Sequence, residues 1–528
     1  MKGLFVMLLI PGIVCATLYR VGPTRALTNL QAVVSTLGPG DTVEVDGDTT
    51  YPGGMTFTQA GTSADPIVVR GIRINGRRPV ISGGTNTVYF STPYPYSGPG
   101  ADHCVFEGFD ITGGSFRGLF LQADSLLVRD VVVHDCPAHG ILAADQGTGD
   151  ITLEYVEVHH CGNGASQHQI YVTTDEVHYP GSVFRMRFCY LHDANGGNNV
   201  KSRSERNEIY YNWIEGAYYH ELELIGPDPG GLEDLPQWSP GLKREDSDVM
   251  GNVLRKKRTT ASNDTNFAVV RFGGDGTGAT SGRYRFVNNT VVCGSGAVFR
   301  LFDSLESVEM HNNIFYRSAG VNVTRTVEAL WASGSAVLAG SNNWVATGSS
   351  NVPAAWTGTQ TGSTPGFLGI DDFRLGSGSA CINQGIAMPQ TISGHEFPSS
   401  AFPPAYEPPL RTAVLPGEEV ARLQVDAIDM GAYEGAGSNV ETGSHPKAQV
   451  RVTVVGNGCS GVEFITALRG DARLDIYDVR GRIVFVRHLS LHGNSQIVWN
   501  TRALGAGVYV ARLSIGDTHQ ARRVIVLR

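Results

Sequence analysis

Three short segments of the 528-residue chain concentrate side chains that could do chemistry: Gln169-Ile-Tyr-Val-Thr173, Asn199-Val-Lys-Ser-Arg203 and Glu221-Leu-Glu-Leu-Ile225. Each alternates apolar and polar residues, the period of a strand with one covered face. Alternation turns Ile170, Val172, Val200, Leu222 and Leu224 inward and leaves Tyr171, Thr173, Lys201, Arg203, Glu221 and Glu223 outward. Arg271 and Arg300, in the segments Phe267–Arg271 and Val298–Phe302, continue that face. An insertion at 162–183 brings His168, Asp175 and His178, and a second at 226–247 brings Asp228, Glu233 and Asp234, as walls. A walled groove of charges and aromatics suits an extended, polar polymer, with Tyr171, His168 and Arg271 as expected substrate contacts. Outward acids on neighbouring turns of the chain are also compatible with glycosidic hydrolysis. The same residues equally describe a solvated face on which Lys201 and Glu223 form an ion pair worth about 0–1 kcal/mol.

The elements that would position these residues are read from a repeat. Six-residue strands recur, among them Phe106–Ile111, Val128–Val133, Leu153–Val158, Met186–Leu191, Ile209–Ile214, Val249–Leu254, Phe286–Val291 and Met310–Phe315, with the nearest copies 22 to 25 residues apart. That period with one strand at a fixed phase implies a solenoid. The leucine-rich frame is missing. Gly and Asn after β-branched and aromatic strands favour three short strands per coil, a parallel β-helix. The fourth strand position gives a column: Phe109, Val131, Val156, Cys189, Asn212, Asn252, Asn289, Asn313 and Asn343. With coils about 4.8 Å apart, stacked Asn side chains form a hydrogen-bonded ladder. After the strands come His134-Asp-Cys136, His159-His-Cys161 and His192-Asp-Ala194. These could hold a metal or simply stack at a turn.

Composition agrees with that architecture. Charged residues make up 17%, glycines number 66 and the formal charge is −9 without a long basic run, which excludes nucleic acid as the expected partner. Met1–Ala16 has a basic start, a short apolar core and a small-residue cleavage site, the pattern of a signal peptide. Nothing else is apolar enough to cross a membrane. Seven cysteines remain beyond it, an odd number that argues for buried thiols and not a disulfide framework. Gly273-Gly-Asp-Gly-Thr-Gly278 lacks the Lys and helix of a phosphate loop and reads as a turn.

The ends are distinctive. Ala26–Leu37 is amphipathic and predicts a capping helix, followed by Gly38-Pro-Gly-Asp-Thr-Val43. This opening resembles the first coil of pectate-lyase-like β-helix proteins, and Leu375–Asn383 with Asp429–Glu434 resemble their closing segment. The Pro-rich stretch from Pro389 to Pro416 is expected to loop over the last coils. Residues 17–434 are thus expected to form the right-handed parallel β-helix, 435–447 a linker and 448–528 a small antiparallel β-sandwich. Leu474-Asp-Ile-Tyr-Asp478, Gly481-Arg482, Leu504-Gly-Ala-Gly-Val-Tyr509 and a basic last strand look like the type A sorting domain of type IX secretion. That resemblance implies export to the cell surface or medium and the type IX machinery as a partner.

Asn198-Asn-Val-Lys-Ser-Arg-Ser204 resembles the Val-Lys-Ser segment of alginate-lyase and chondroitinase-type β-helix lyases. In those enzymes a Lys takes the proton α to a uronate carboxylate, an Arg acts one coil later and acids hold Ca²⁺. Carried over, the resemblance makes Lys201 and Arg203 catalytic and Glu221 and Glu223 the Ca²⁺ ligands. The chain departs from the pattern where the coil after Lys201 offers Leu222-Glu223 in place of Arg, and where its acids follow the Lys. A secreted or cell-surface, monomeric protein acting on or binding polysaccharide, with a uronate-polymer lyase as the specific expectation, is the expected function; a non-catalytic glycan-binding or adhesin-like surface protein is the alternative.

Overall fold

The computed structural model describes residues 16–226 (except 97 and 145), 246–257, 267–275, 282–302, 305–326, 337–389, 392, 402–424 and 426–435, and in the C-terminal part 451–455, 461–466, 469–478, 482–492, 495–500, 507–515 and 518–526. The expected signal peptide, most of the expected linker and the insertion carrying Asp228, Glu233 and Asp234 lie outside these residues. The chain divides into two compact units, 1–439 and 440–528.

In the first unit each coil contributes one strand to each of three parallel sheets. The coil Leu126–Arg129, Val132–His134, Ile141–Ala143 is typical. Among the described residues the first sheet has 13 strands, the second 12 and the third 10, each ordered by coil. This is a right-handed parallel β-helix. Its interior is a set of stacked columns; in the first sheet Val128, Leu153, Met186, Ile209, Val249, Phe286 and Met310 lie in direct register and are all buried.

The six-residue strands of the repeat are each two strands joined by a sharp bend. The third residue takes a left-handed conformation, with φ of 54° at Asp130, 56° at Tyr155, 57° at Phe188 and Tyr211 and 52° at Asn288. Asn tolerates this conformation; tyrosine and phenylalanine adopt it only where packing holds them. Packing is supplied by the returning C-terminal segment. Tyr155, Phe188 and Tyr211 stack at 5.1 and 5.5 Å, and Tyr406 lies edge-on at 5.3 Å from Phe188. Glu419 accepts from Tyr155 Oη at 3.0 Å. The described part of the segment therefore reaches the middle coils and does not stay over the last ones as expected.

The next position carries the ladder. Asn212, Asn252, Asn289 and Asn313 each donate from Nδ2 to the following Asn Oδ1 at 2.9, 2.9, 3.2 and 2.9 Å, ending on Asn343. All are fully buried, so the ladder satisfies side-chain amides that would otherwise be costly inside the coil. The six described cysteines are buried free thiols; Cys15 and Cys459 lie outside the described residues.

At the N-terminal end the predicted capping helix is a single 3₁₀ turn, Leu30–Ala32, capped by Asn29. The adjacent β-branched Val33 and Val34 disfavour longer helix, and Thr36 Oγ1 donates back to Val33 O at 2.9 Å. The apolar face still covers the coil end, with Leu30, Val33, Val34 and Leu37 buried. The second unit consists of two antiparallel sheets. One joins 451–455, 461–466 and 495–500; the other orders 483–492, 469–478, 507–515 and 518–526.

Candidate functional site: the outer face of the third sheet

Register in the third sheet aligns one outward column. On the N-terminal side it runs Tyr89, Phe120, Leu142, Tyr171 and Lys201. It continues through Glu223, Arg271, Arg300 and Arg325. The chemistry changes along the column from aromatic to mixed charge to cationic.

At the changeover the expected residues converge. Lys201 Nζ lies 2.9 Å from Asp275 Oδ2, 3.6 Å from Glu223 Oε2 and 5.2 Å from the centre of the Tyr171 ring. Arg203, one outward position along the same strand, donates from Nε to Tyr171 Oη at 3.0 Å, from Nη1 to Gly226 O at 2.6 Å and from Nη2 to Asp275 Oδ2 at 3.0 Å. Glu223 accepts from Arg271 Nη1 and Asn198 Nδ2. Side-chain exposure is 12% for Lys201 and 2% for both Arg203 and Glu223. The charges are thus largely withdrawn from water, where pairing matters far more than at a solvated surface.

The turn before these strands supplies a second ladder. His168 N–H donates to His139 Nδ1 at 3.0 Å, Asn198 N–H to His168 Nδ1 at 2.9 Å and His220 N–H to Asn198 Oδ1 at 2.9 Å. Accepting at Nδ1 puts the proton of neutral His168 on Nε2. Burial, reinforced by Lys201, His139 and Arg203, holds His168 well below the usual imidazole range. Its ring stands edge-on 5.4 Å from Tyr171, fixing that phenol from the side.

Glu221 does not join the outer face, contrary to expectation. The strand begins at Leu222, so Glu221 belongs to the preceding turn and is fully buried. It accepts from Asn199 Nδ2 at 2.5 Å and from Ala217 N–H at 3.1 Å, and lies 3.8 Å from Lys256 Nζ, itself bonded to Tyr219 O and Ala217 O. Burial raises Glu221 from its ordinary value, with Lys256 opposing. Glu221 in the turn and Glu223 in the strand therefore have separate partners and do not form one ligand set. Glu223 and Asp275 are each already held by two basic side chains, so this donor set does not fit the expected Ca²⁺ site.

Sequence reading missed Asp275, Asn198 and His139. Asp275 sat in a Gly-rich run read as a turn; its value emerges only once Leu224 is aligned with Phe272 across an insertion. Asp175, expected on the wall, is buried and accepts from Gly147 N–H at 2.9 Å and pairs with His178 Nδ1 at 2.8 Å, a local turn clamp.

The His column lies elsewhere, on the outer side of the second sheet. The rings of His134, His159 and His192 stack at 5.0 and 4.9 Å. His134 bonds Asp110 at 2.8 Å and Asp135 at 2.6 Å; His192 bonds Glu157 at 3.2 Å and Asp193 at 2.9 Å. Ligand atoms of Glu157, His159 and His192 lie within 4.8 Å of one another. Both ring nitrogens of His192 already face carboxylates, so the column reads as a stacked ion-paired ladder.

Residues 460–527 match the family model of the secretion system C-terminal sorting domain. The C-terminal unit is that domain, which indicates export to the cell surface or medium with the secretion machinery as partner. No curated protein matches the chain. Among solved structures, the pectate lyase Pel9A aligns at 13% identity over 80% of this chain and 98% of that one, with a TM-score of 0.40. An alginate lyase from Paenibacillus sp. str. FPU-7 aligns at 15% identity over 61% and 97%, TM-score 0.35. The polysaccharide lyase Pedsa3628 from Pseudopedobacter saltans aligns at 12% identity over 66% and 91%, TM-score 0.37. No helix among the described residues is long and apolar enough to cross a membrane.

Proposed function

We propose that this exported β-helix binds an acidic polysaccharide on the outer face of its third sheet and cleaves it by β-elimination. The observation that carries this reading is the convergence of Tyr171, Lys201, Arg203, Glu223 and Asp275 on one part of that face, beside Arg271.

In elimination a base removes the proton α to a uronate carboxylate, and the electron pair expels the glycosidic oxygen as a C=C bond forms. Three tasks arise: neutralise the carboxylate, accept the proton and protonate the leaving oxygen. Lys201, between Glu223 and Asp275, suits pairing of the substrate carboxylate or delivery of a proton to the leaving oxygen. Tyr171 suits the base as its phenolate, which takes the α-proton and becomes the neutral phenol; Arg203 Nε, donating to its oxygen, stabilises the phenolate that the step consumes. Arg203 and Arg271 supply the charge that a metal would otherwise bring. No step is assigned to Ca²⁺.

Incubation with polygalacturonate, alginate and chondroitin, followed in the ultraviolet for the unsaturated product, tests this. The expected result is a rise on at least one polymer, cut about 10²–10⁴-fold by Tyr171→Phe or Lys201→Ala. New reducing ends without that absorbance would replace elimination by hydrolysis. Retention of the polymers without turnover would make the protein a glycan-binding surface protein.

A further inference from the structure

The cluster occupies four successive coils, and the column it belongs to runs on in both directions with sorted chemistry. Upstream, the rings of Tyr89 and Phe120 stack face to face at 4.6 Å, with planes 21° apart, and both remain partly exposed. The Arg117 guanidinium lies 4.5 Å from the centre of the Phe120 ring, and Tyr89 Oη donates to Gln122 at 2.5 Å, so the platform is held in place. Downstream, Arg271, Arg300 and Arg325 stand in direct register on successive strands, Arg300 partly exposed and Arg325 exposed.

Register spaces neighbouring column positions by about 4.8 Å. Arg271 pairs with Glu223 on the preceding strand, but from there on the column sets guanidinium beside guanidinium, an order that does not serve to join strands. A stacked aromatic pair offers a sugar apolar contact along its outward side; a guanidinium offers a carboxylate a two-pronged donor.

We propose that this column is a polarised binding track. A carboxylated polysaccharide lies along the coil axis, packing sugar rings against the outward side of the Tyr89–Phe120 stack and pairing its carboxylates with Arg271, Arg300 and Arg325. The proposal rests on the reading that the polymer crosses the Tyr171–Lys201 cluster. It adds that acidity is required on the C-terminal side of the scissile bond and is dispensable on the N-terminal side.

The test is calorimetric titration of the full chain carrying Tyr171→Phe, with uronate oligosaccharides and their carboxyl-reduced, neutral counterparts. Arg300→Gln and Arg325→Gln should each weaken acidic oligosaccharides about tenfold, flatten the salt dependence and leave neutral ones unchanged. Phe120→Ala should weaken both kinds. Unchanged acid binding in both Arg variants, with melting temperatures intact, overturns the track. So does equal, Arg-dependent binding of polyphosphate, which would show a response to charge alone. Elimination is measured separately in the Tyr171-bearing protein. Arg-dependent binding without any unsaturated product leaves the track and removes the lyase. Unsaturated product at parental rates from the Arg variants, with parental binding, does the reverse.

Discussion

The first and third sheets present outer faces of the same construction and opposite charge order. On the first sheet the column Arg20, Glu44, Arg70, Glu107, Arg129, Glu154 and Arg187 alternates sign at every coil. Its ion pairs follow, with Arg20–Glu44 at 3.1 Å, Arg70–Glu107 at 2.5 Å and Arg129–Glu154 at 3.2 Å. Such a face satisfies itself and presents no net field. On the third sheet the column sorts into aromatic, mixed and basic blocks, so its charge is directed outward. In a solenoid the alternating order joins neighbouring coils and the sorted order does not; an external ligand is what makes the sorted one useful. The comparison separates charge that holds coils together from charge that meets a partner.

The two faces should respond differently to loss of a carboxylate. Glu223→Ala takes the carboxylate from Arg271 and leaves Lys201 with Asp275 alone in a nearly dry site, and should lower stability by about 3–5 kcal/mol in chemical denaturation. A change under 1 kcal/mol would place Glu223 in a solvated pair after all. The second sheet gives a pH-dependent case. Hydrogen bonding to Asp110 and Asp135 lifts His134 to about 9, while burial and the neighbouring imidazoles bring His159 down to about 4. The His134 contribution is complete below about 6.5 and is lost as pH rises through about 9. His159 must stay neutral, so stability also falls as pH drops from about 6.5 to 4. Denaturation midpoints should therefore peak near neutrality; His134→Asn should flatten the alkaline limb and His159→Asn the acid limb. Smaller still, Glu107→Gln on the first sheet should cost less than about 1 kcal/mol, because its Arg partners are a third to a half exposed. At the end of the scale, a chelator should leave activity unchanged, since Arg203 and Arg271 occupy the role assigned to Ca²⁺; loss on chelation, restored by Ca²⁺, would contradict that assignment.

The solenoid was readable because its repeat recurs at one phase, and the Asn ladder because identical residues share it. The bends were not: nothing in Tyr155, Phe188 or Tyr211 announces a left-handed backbone, which only the packed C-terminal segment explains. Of the site, Tyr171, Lys201, Arg203, Glu223 and Arg271 follow from alternation alone. Glu221 was misplaced by carrying alternation one residue past the strand into the turn. Asp275 and the Arg325 end of the column depended on register across insertions, which spacing does not preserve. The charge order of the first sheet was hidden for the same reason, since its partners lie 21 to 37 residues apart.

Arginine-selective labelling with and without a uronate polymer, read peptide by peptide by mass spectrometry, tests the central contrast most directly. Protection at Arg271, Arg300 and Arg325, with Arg70, Arg129 and Arg187 labelled as before, is the result predicted here. Protection spread evenly over both sheets, or confined to the first, would contradict it.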